Sequence, residues 1–290
     1  MFADIGGCPL LSYRHSYHAG NFADVLKHIV MVELLEHFIK KDKPFEVIDT
    51  HAGAGLYQLQ SDHAQKLSEF TSGIEKMNAK EWPELASYFA VLKTYNKNGA
   101  SKYYPGSPLI ACHFLRRSDR AWFFELHPTD FNLLKKNTAG DKRVRVQCED
   151  GFKGMLALLP TASRRCLALI DPSYEVKTDY AQVLEAVVKA YKKSSTTTFA
   201  IWYPVVDRYR INQLEKRLIA SGIRDIQRFE LGIAPDTTTK GMTACGMFVI
   251  NPPWTLLQKM AEILPRLVDA LGQDEGAFFK CDVLVGEESA

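Results

Sequence analysis

The sequence lacks the features that would place the protein outside the cell or in a membrane. Its six cysteines, at positions 8, 112, 148, 166, 245 and 281, include no C-x-x-C pair, which excludes a disulfide-built scaffold and fits a reducing cytosol. The longest apolar runs are far shorter than the ~20 residues of a membrane span. Residues 1–11 have neither a basic start nor a long apolar core, so they are not a signal peptide. We expect a cytoplasmic protein with no membrane partner, in which 1–11 form a loose N-terminal extension.

The sequence also lacks a strong charge of either sign. The net charge is +2, so no overall basic field indicates a nucleic-acid partner. Basic residues are grouped locally, and each group taken singly is more typical of a solvated face than of a phosphate contact. These groups are Arg116-Arg117-x-x-Arg120, Lys142-Arg143-x-Arg145, Arg164-Arg165 and Lys192-Lys193. Residues 273–290 are acidic, which predicts a C-terminal tail that does not contact nucleic acid.

Apolar runs alternate with helical patterns along the 290 residues, which predicts a mostly parallel α/β sheet covered on both faces. We expect a doubly wound sheet of seven strands with one antiparallel strand near its edge. The candidate strands are Phe45–Asp49, Ala121–Leu126, Val144–Cys148, Leu167–Ile170, Thr198–Tyr203, Asp225–Leu231 and Gly246–Ile250. The candidate helices are 23–41, 107–117, 129–138, 152–159, 179–193, 208–221 and 255–271.

One interval is too long for a simple crossover. About 65 residues separate Gly55 from the next candidate strand, against the dozen or more that a parallel connection needs. Two helical patterns, 62–77 and 84–97, predict a helical insertion at about 58–102 in a sheet domain spanning 12–272. The first helix has its own start signal, because Asn21 is a good N-cap and Asp24 is placed to reach back to it.

A possible cofactor site follows the first candidate strand, in Phe45-Glu-Val-Ile-Asp49-Thr-His-Ala-Gly53-Ala-Gly55. A carboxylate and two glycines, including Gly53, lie where a strand turns, which suits a nucleoside-bearing ligand. Gln58 stands where dinucleotide binding usually needs a third glycine, which disfavours nicotinamide cofactors. Glu125 and Asp150-Gly151 follow the next two strands and suit ribose hydroxyls and an adenine amino group. Each of these motifs alone is also compatible with an ordinary turn or strand end. Their occurrence in this order along the chain favours a cofactor site.

A possible reaction site is Asp171-Pro172-Ser173-Tyr174, which follows the fourth strand. The Asp171 carboxylate and the Pro172 carbonyl are suited to accept hydrogen bonds from the two N–H groups of an exocyclic amine. Tyr174 is suited to stack on the base that carries the amine. Accepting these bonds localises the nitrogen lone pair, and Asp171 is able to take the released proton. The motif therefore predicts methyl transfer to an amino nitrogen of a base that is flipped out or unpaired.

Two other patterns suggest alternative sites. Asn251-Pro252-Pro253-Trp254 also looks like an amine-binding tetrapeptide, but it follows the last candidate strand, so we favour Asp171 and take 251–254 as a strand stop. His15-x-x-His18 and Lys27-His28 suggest a metal site, yet no further cluster completes one. We expect no metal.

At these residues the chain resembles the bacterial 23S ribosomal RNA adenine-N6 methyltransferases of the RlmJ type. The resemblance runs from Ser12 to about Trp254 and is carried by long stretches: SYRHSYHAGNFADVLKH (12–28), DTHAGAG (49–55), YYPGSPLIA (103–111), ELHP (125–128), the Asp150-Gly151 turn, IDPSYEVKTDY (170–180), WYPVV (202–206) and GMTACGMFVINPPW (241–254). It implies a Rossmann-like class I fold, S-adenosylmethionine as methyl donor, and an adenine of protein-free or early precursor 23S rRNA as acceptor. We expect a monomer, because no heptad seam or large apolar stripe stands out.

The resemblance also implies roles for individual residues. The residues expected to line the cofactor, with Lys27 beside it and Asp171 facing it, are His28, His51, Ser107, Glu125, Asp150 and Gly151. Asp171 would be the catalytic acceptor, with Pro172 and Tyr174 around the base, and Tyr13 and Arg14 near the mouth of the site. One position departs from the family, whose tetrapeptide is D-P-P-Y: Ser173 replaces the second proline. We expect retained activity with a less rigid turn.

Three alternatives remain open from the sequence. An adenine-N6 methyltransferase acting on DNA differs only in its substrate, and a methylation assay on both nucleic acids separates the two. A non-catalytic S-adenosylmethionine- and RNA-binding assembly protein is supported only by Ser173. A nicotinamide oxidoreductase is disfavoured by the missing third glycine.

Overall fold

A computed structural model of the chain describes residues 15–97, 101–176, 178–236 and 241–287. Its main sheet has eight strands in the order β10-β8-β9-β7-β6-β1-β4-β5. They are β1 Glu46–Asp49, β4 Arg120–Phe124, β5 Val144–Gln147, β6 Cys166–Ile170, β7 Thr198–Val205, β8 Ile226–Gly232, β9 Ala244–Ile250 and β10 Phe278–Val285. Two short strands, β2 Leu56–Gln58 and β3 Tyr103–Pro105, form a separate ladder. The α/β class and all seven candidate strands are confirmed; the count is eight, not seven.

Nine α-helices lie in the described part of the chain. They are α1 Phe22–Ile39, α2 Asp62–Leu67, α3 Ala86–Tyr95, α4 Ser107–Phe114, α5 Pro128–Asn137, α6 Gly151–Leu158, α7 Asp179–Lys193, α8 Arg208–Ile219 and α9 Leu256–Leu271. The interval 58–102 holds α2, four short 3-10 helices and α3, so the helix predicted at 62–77 ends early, at Leu67. No helix among the described residues is long and apolar enough to cross a membrane.

The start of α1 follows the prediction only in part. The Asn21 side chain accepts hydrogen bonds from the backbone N–H groups of Ala23 and Asp24, both at 3.0 Å, as an N-cap should. The Asp24 carboxylate, however, accepts from the N–H of Gly20 at 2.9 Å and not from that of Asn21. The hydrogen bond that Asp24 was expected to accept from Asn21 is therefore accepted from Gly20 instead, one residue earlier. The Asp24 side chain is buried.

The direction of the strands positions the site. β1 lies between β4 and β6 and is parallel to both, with Asp49 in register with Phe123 and Leu169. The chain thus moves from β1 to one side of the sheet and later returns to the other side. Such a reversal opens a crevice at the carboxyl ends of the strands, where ligands of doubly wound sheets bind.

The other half of the sheet contains the two strands that run in the opposite direction. β9 lies between β7 and β8 and is antiparallel to both, and β10 pairs antiparallel with β8 at the sheet edge. The interpretation of 273–290 as an acidic tail is therefore wrong for Phe278–Val285. This strand covers one flank only and keeps every residue at least partly exposed, so its sequence shows no strong buried pattern.

Helix α1 occupies the centre of the core on one face of the sheet. Fifteen of its 18 residues are buried, including Asp24, Lys27 and His28, because it is packed against β9 and β7 as well as α3, α4 and α9. Burial of each large apolar side chain contributes roughly 1.5–3 kcal/mol, which fixes the helix firmly. Asp24, Lys27 and His28 are therefore held in place beside the crevice.

Candidate active site

A cavity of about 540 Å³ opens at the carboxyl edge of the sheet. Its walls come from the start of α1, from the loops after β1, β4, β5, β6 and β7, and from the start of α4. It contains every cofactor and catalytic residue expected from the sequence: Lys27, His28, His51, Gly53, Ser107, Glu125, Asp150, Gly151, Asp171, Pro172 and Tyr174. Tyr13 and Arg14 lie outside the described residues. The size fits a small ligand, because such pockets usually measure ~300–1,000 Å³.

The glycine loop after β1 is fixed by a carboxylate from the neighbouring strand. The Gly53 N–H donates to Glu125 Oε2 at 2.8 Å, and the His127 N–H donates to Glu125 Oε1 at 2.6 Å. Gly53 has φ of +61°, and an added Cβ would lie 2.2 Å from the Tyr57 hydroxyl. Glycine is required here for both its backbone conformation and its lack of a side chain.

Asp49 ends β1 below this loop and does not itself line the cavity. Its Oδ2 accepts from the Ser107 hydroxyl at 2.6 Å and its Oδ1 from the His51 N–H at 3.2 Å. Burial, opposed by the hydrogen bond from Ser107 and aided by the nearby Asp171 carboxylate, raises the pKa of Asp49 to about 7. Asp49 therefore holds the loop and the start of α4 together beneath the site.

The loop after β5 touches the loop after β1. An added Cβ at Gly151 would lie 1.9 Å from the Thr50 carbonyl oxygen, so only glycine permits this approach. Asp150 is the N-cap of α6, and its Oδ1 accepts from the N–H groups of Phe152 and Lys153 at 2.9 and 3.2 Å. The sequence suggested a ligand contact or an ordinary turn for Asp150; the structure adds that it anchors a helix.

The Asp171 carboxylate is paired with a lysine buried on α1. Lys27 Nζ lies 2.6 Å from Asp171 Oδ2 and 2.9 Å from Asp24 Oδ1. Burial alone would lower the pKa of Lys27, but the two carboxylates outweigh it and raise the pKa well above its ordinary value. Burial opposes ionisation of Asp24 as well, yet His15 and Lys27 bring its pKa well below the usual range. The group is thus a charged chain of carboxylate, ammonium and carboxylate.

Two histidines in the cavity wall are neutral. Burial lowers the pKa of His28 to about 3 and that of His51 to about 4. His28 Nδ1 lies 2.8 Å from the Tyr104 hydroxyl, whereas its Nε2 is buried and has no hydrogen-bond partner among the described residues. An unsatisfied buried polar atom is costly in a folded protein. A polar ligand atom in the cavity would satisfy it.

The tetrapeptide after β6 adopts an unusual backbone. Tyr174 has φ of +54°, a conformation that costs a bulky residue roughly 1–2 kcal/mol. The Tyr174 hydroxyl donates to the Trp202 carbonyl oxygen at 2.6 Å, and its ring lies 4.6 Å from that of Tyr180. These contacts, together with burial, hold the ring at the cavity wall despite the strain.

The similar tetrapeptide at 251–254 lies elsewhere. Because β9 runs opposite to β6, its carboxyl end lies at the other edge of the sheet, where Ile250 is in register with Phe199 near the start of β7. Asn251 Nδ2 donates to the carbonyl oxygens of Ser195 and Thr197, and Trp254 is 82% exposed. This motif is a strand stop. No group of three or more potential metal ligands occurs among the described residues.

Sequence reasoning missed two members of the site. Asp24 was interpreted only as a capping residue, and its role as the second partner of Lys27 has no local signal. Trp202 holds Tyr174 through its carbonyl, and its ring lies 5.8 Å from Lys27 Nζ. Its position in WYPVV marked it as similar to the family but gave it no role.

Fold and site together define a class of protein. A sheet that reverses at β1, a D-x-x-x-G-x-G loop held by a carboxylate, and Asp-Pro-x-Tyr on the adjacent strand are the parts of a Rossmann-like methyltransferase that uses S-adenosylmethionine. The cavity volume and the unsatisfied Nε2 of His28 fit this ligand.

Comparison with known proteins identifies the family. The family described as "Ribosomal RNA large subunit methyltransferase D, RlmJ" matches residues 42–282, and the chain belongs to it. "Ribosomal RNA large subunit methyltransferase J" of Escherichia coli K12 is 50% identical over 260 residues, 89% of this chain and 93% of that protein. The Haemophilus influenzae protein of the same name is 49% identical over 265 residues, 90% and 94% of the two chains. A crystal structure of a Legionella pneumophila protein is 36% identical, with a TM-score of 0.85, over 93% of this chain and 99% of that one.

Proposed function

We propose that the protein transfers a methyl group from S-adenosylmethionine to the N6 amino group of an adenine in 23S ribosomal RNA. The observation that carries the proposal is the position of Asp171. Its carboxylate lies at the reversal point of the sheet, in one cavity with the Gly53 loop and the Tyr174 ring. The relatives named as large-subunit ribosomal RNA methyltransferases support ribosomal RNA as the substrate class.

The acceptor adenine is activated by hydrogen-bond acceptors. Asp171 and the Pro172 carbonyl accept hydrogen bonds from the two N–H groups of the amine, so that the nitrogen lone pair is available for in-line attack. Lys27 binds Asp171 Oδ2, which orients the carboxylate and leaves Oδ1 to the amine. The amine becomes acidic as the new N–C bond forms, and Asp171 takes its proton. Because the reactants are held in line, positioning provides much of the rate.

The cofactor supplies the electrophilic methyl group when bound. We assign its ribose to Glu125, its adenine edge to Asp150 and Gly151, and its methionine end to His28, His51 and Ser107. Gly53 lies in the cavity wall without a side chain, so the loop backbone can approach the ligand closely. Lys27 is assigned a position beside the cofactor, and Tyr13 and Arg14 are assigned to the mouth of the site.

Tyr174 is the stacking surface for the acceptor base. Base–aromatic stacking contributes ~1–3 kcal/mol per base, enough to hold an adenine that has left its helix. We further propose that the substrate is protein-free or early precursor rRNA, that the enzyme acts as a monomer, and that it does so in the cytoplasm.

The test is transfer of labelled methyl groups to protein-free 23S rRNA that lacks the modification, with DNA alongside. The expected product is N6-methyladenine in rRNA, lost in Asp171→Ala while S-adenosylmethionine still binds by calorimetry. Trp254→Ala, in the similar tetrapeptide at the other edge, is the control and should match the parent. Label found only in DNA would mean that the substrate is DNA and not rRNA. Cofactor binding without transfer to either nucleic acid would mean that the protein is a non-catalytic binder.

A further inference from the structure

We propose a second RNA-binding surface, the basic edge, formed by Arg117, Arg120, Lys142 and Arg145. It lies at the amino ends of β4 and β5, at the end of the strands opposite the active site. It binds backbone phosphates of the substrate RNA far from the reacting adenine. The inference rests on the proposed function, because it takes a long ribosomal RNA as the substrate.

The fold brings together basic groups that are separate in the sequence. β4 and β5 are parallel neighbours with Ala121 in register with Val144, so Arg120 and Arg143 adjoin at the amino ends of these strands. Arg116 extends the same edge toward β1, donating to the carbonyl oxygens of Lys41 and Lys43 at 2.8 Å. Groups that are unremarkable singly therefore form one continuous surface.

The ion pairs at this edge leave four cations without a carboxylate. Arg116 is paired with Asp119 and Arg143 with Asp141. Arg117, Arg120, Lys142 and Arg145 are exposed and form no salt bridge with a carboxylate of the described residues. Arg120 and Arg145 instead donate to nearby backbone carbonyls, such as those of Asp119 and Val144, which hold their guanidinium groups at the surface.

The charge is concentrated here and not elsewhere. The segments 40–46, 116–120, 141–145 and 163–165 contain eleven Lys and Arg residues against four Asp and Glu residues, an excess of seven positive charges. Since the whole chain has a net charge of +2, the remainder has an excess of five negative charges. The field of the protein is therefore strongly asymmetric, which steers a polyanion toward this edge.

Helix capping does not account for the four cations. Lysines in the last turn of a helix complement its dipole, and this explains Lys192 and Lys193 at the end of α7. Arg120 and Arg145 lie in strands, and Arg117 and Lys142 lie in loops before strands, so none of the four belongs to the last turn of a described helix. A helix dipole therefore does not explain these cations, and it is their grouping at the end of two neighbouring strands that points to an anionic ligand.

The surface is also concave. Arg117, Arg120, Lys142 and Arg143 surround a depression of about 650 Å³ together with Gly140 and Asp141. Cations around a depression with no aromatic platform fit phosphates and not unstacked bases. Binding at the basic edge is therefore independent of sequence and strongly dependent on salt.

The experiment measures methylation of full-length 23S rRNA by a variant with Arg117→Glu, Arg120→Glu and Lys142→Glu. We expect at least a tenfold rise in KM, and a slope of log kcat/KM against log salt that is shallower by about two to three. kcat at saturating RNA and S-adenosylmethionine affinity should be retained, because the chemistry lies at the opposite edge. The milder glutamine triple variant should show a smaller change in the same direction.

The control reverses three exposed cations at helix ends, Lys192→Glu, Lys216→Glu and Arg217→Glu, which changes the net charge equally. An unchanged KM in the basic-edge variant, or an equal rise in the control, would overturn the inference. Either result would leave the proposed function intact, since the parent still methylates rRNA. Failure of the parent to methylate rRNA would instead reject the proposed function.

Discussion

Lys27 and Asp171 are separated by 144 residues in the chain, and their Nζ and Oδ2 atoms lie 2.6 Å apart. The pair joins the central helix α1 to the end of β6, so one contact links the core of the protein to its proposed catalytic carboxylate. Asp24 completes the arrangement from the other side of the ammonium group. The stability and activity of the protein are thereby coupled.

Lys27→Met removes the cation and leaves two carboxylates in a buried setting. Breaking a buried pair in this way costs about 3–5 kcal/mol, so the midpoint of urea unfolding should fall and methyl transfer should be largely lost. Lys189→Met, which removes an exposed pair with Glu185, is the control and should leave the midpoint unchanged. A Lys27→Met protein as stable as the parent would mean that the pair contributes no net stability.

Tyr174→Phe separates the ring from its hydroxyl. The change removes the hydrogen bond to the Trp202 carbonyl, a loss of about 1 kcal/mol in unfolding free energy, and keeps the stacking surface. Activity should therefore fall slightly in Tyr174→Phe and by roughly 10–100-fold in kcat/KM in Tyr174→Ala. Steady-state kinetics on rRNA measure both. Equal losses in the two variants would assign the effect to the hydroxyl and not to stacking.

Ser173→Pro restores the family's tetrapeptide. No hydrogen bond among the described residues uses the Ser173 N–H, so proline removes none there and reduces the freedom of the unfolded chain. We expect a gain of about 0.4–1 kcal/mol in unfolding free energy and a rate equal to or above that of the parent. Ser173→Ala, which removes the hydroxyl without adding a ring, is the control. A slower proline variant would contradict the view that serine only loosens the turn.

Below about pH 6.5 the two buried histidines should lower the stability of the ligand-free protein as the pH falls, whereas Asp49, whose pKa is raised to about 7, acts in the opposite direction. The unfolded chain protonates His28 near pH 6.5, whereas the folded protein does so only at a pKa of about 3. Between these values the unfolded state binds the extra proton, so stability falls as the pH falls, by up to about 1.4 kcal/mol per pH unit for this residue. His51 acts in the same direction down to its pKa of about 4. Asp24, whose pKa is lowered, stabilises the folded state above its ordinary pKa and loses this effect only at lower pH.

Urea unfolding at pH 7, 6 and 5 measures this slope. The slope gives the number of protons taken up on unfolding, and His28→Gln should lower this number by about one. His113→Gln, at an exposed position, should change the slope less. A slope unaffected by His28→Gln would mean that this histidine has the same proton affinity in both states.

The sequence predicts the elements of this fold well because each has a local signal. All seven candidate strands and the later helices coincide with the observed ones, since buried parallel strands are continuous apolar runs. β10 was missed because an edge strand beside acidic residues has no such run. The first helix of the insertion was predicted too long, because apolar residues such as Phe70 and Ile74 lie in 3-10 turns and continue the apolar pattern of the helix.

The site was predictable as a set of residues but not as a set of contacts. Turn chemistry marked the Gly53 loop and the Asp171 tetrapeptide. The pairing of Lys27 with Asp171 depends on tertiary packing alone. The direction of β9, which no local pattern encodes, places Asn251 away from the cavity that Asp171 lines.

The position of β9 also governs the order in which the protein is completed during synthesis. β8 is made before β9, yet its only sheet neighbours are β9 and β10, so it has no partner until residues 244–250 have left the ribosome. Domains form as their chain emerges, and the parallel half from β1 to β7 already contains Asp171 by then. Pulse-labelled hydrogen exchange on arrested chains should detect protection in β6 before β8. The proposed catalytic half of the sheet is thus assembled early, and its far flank is joined to it by a single late insertion.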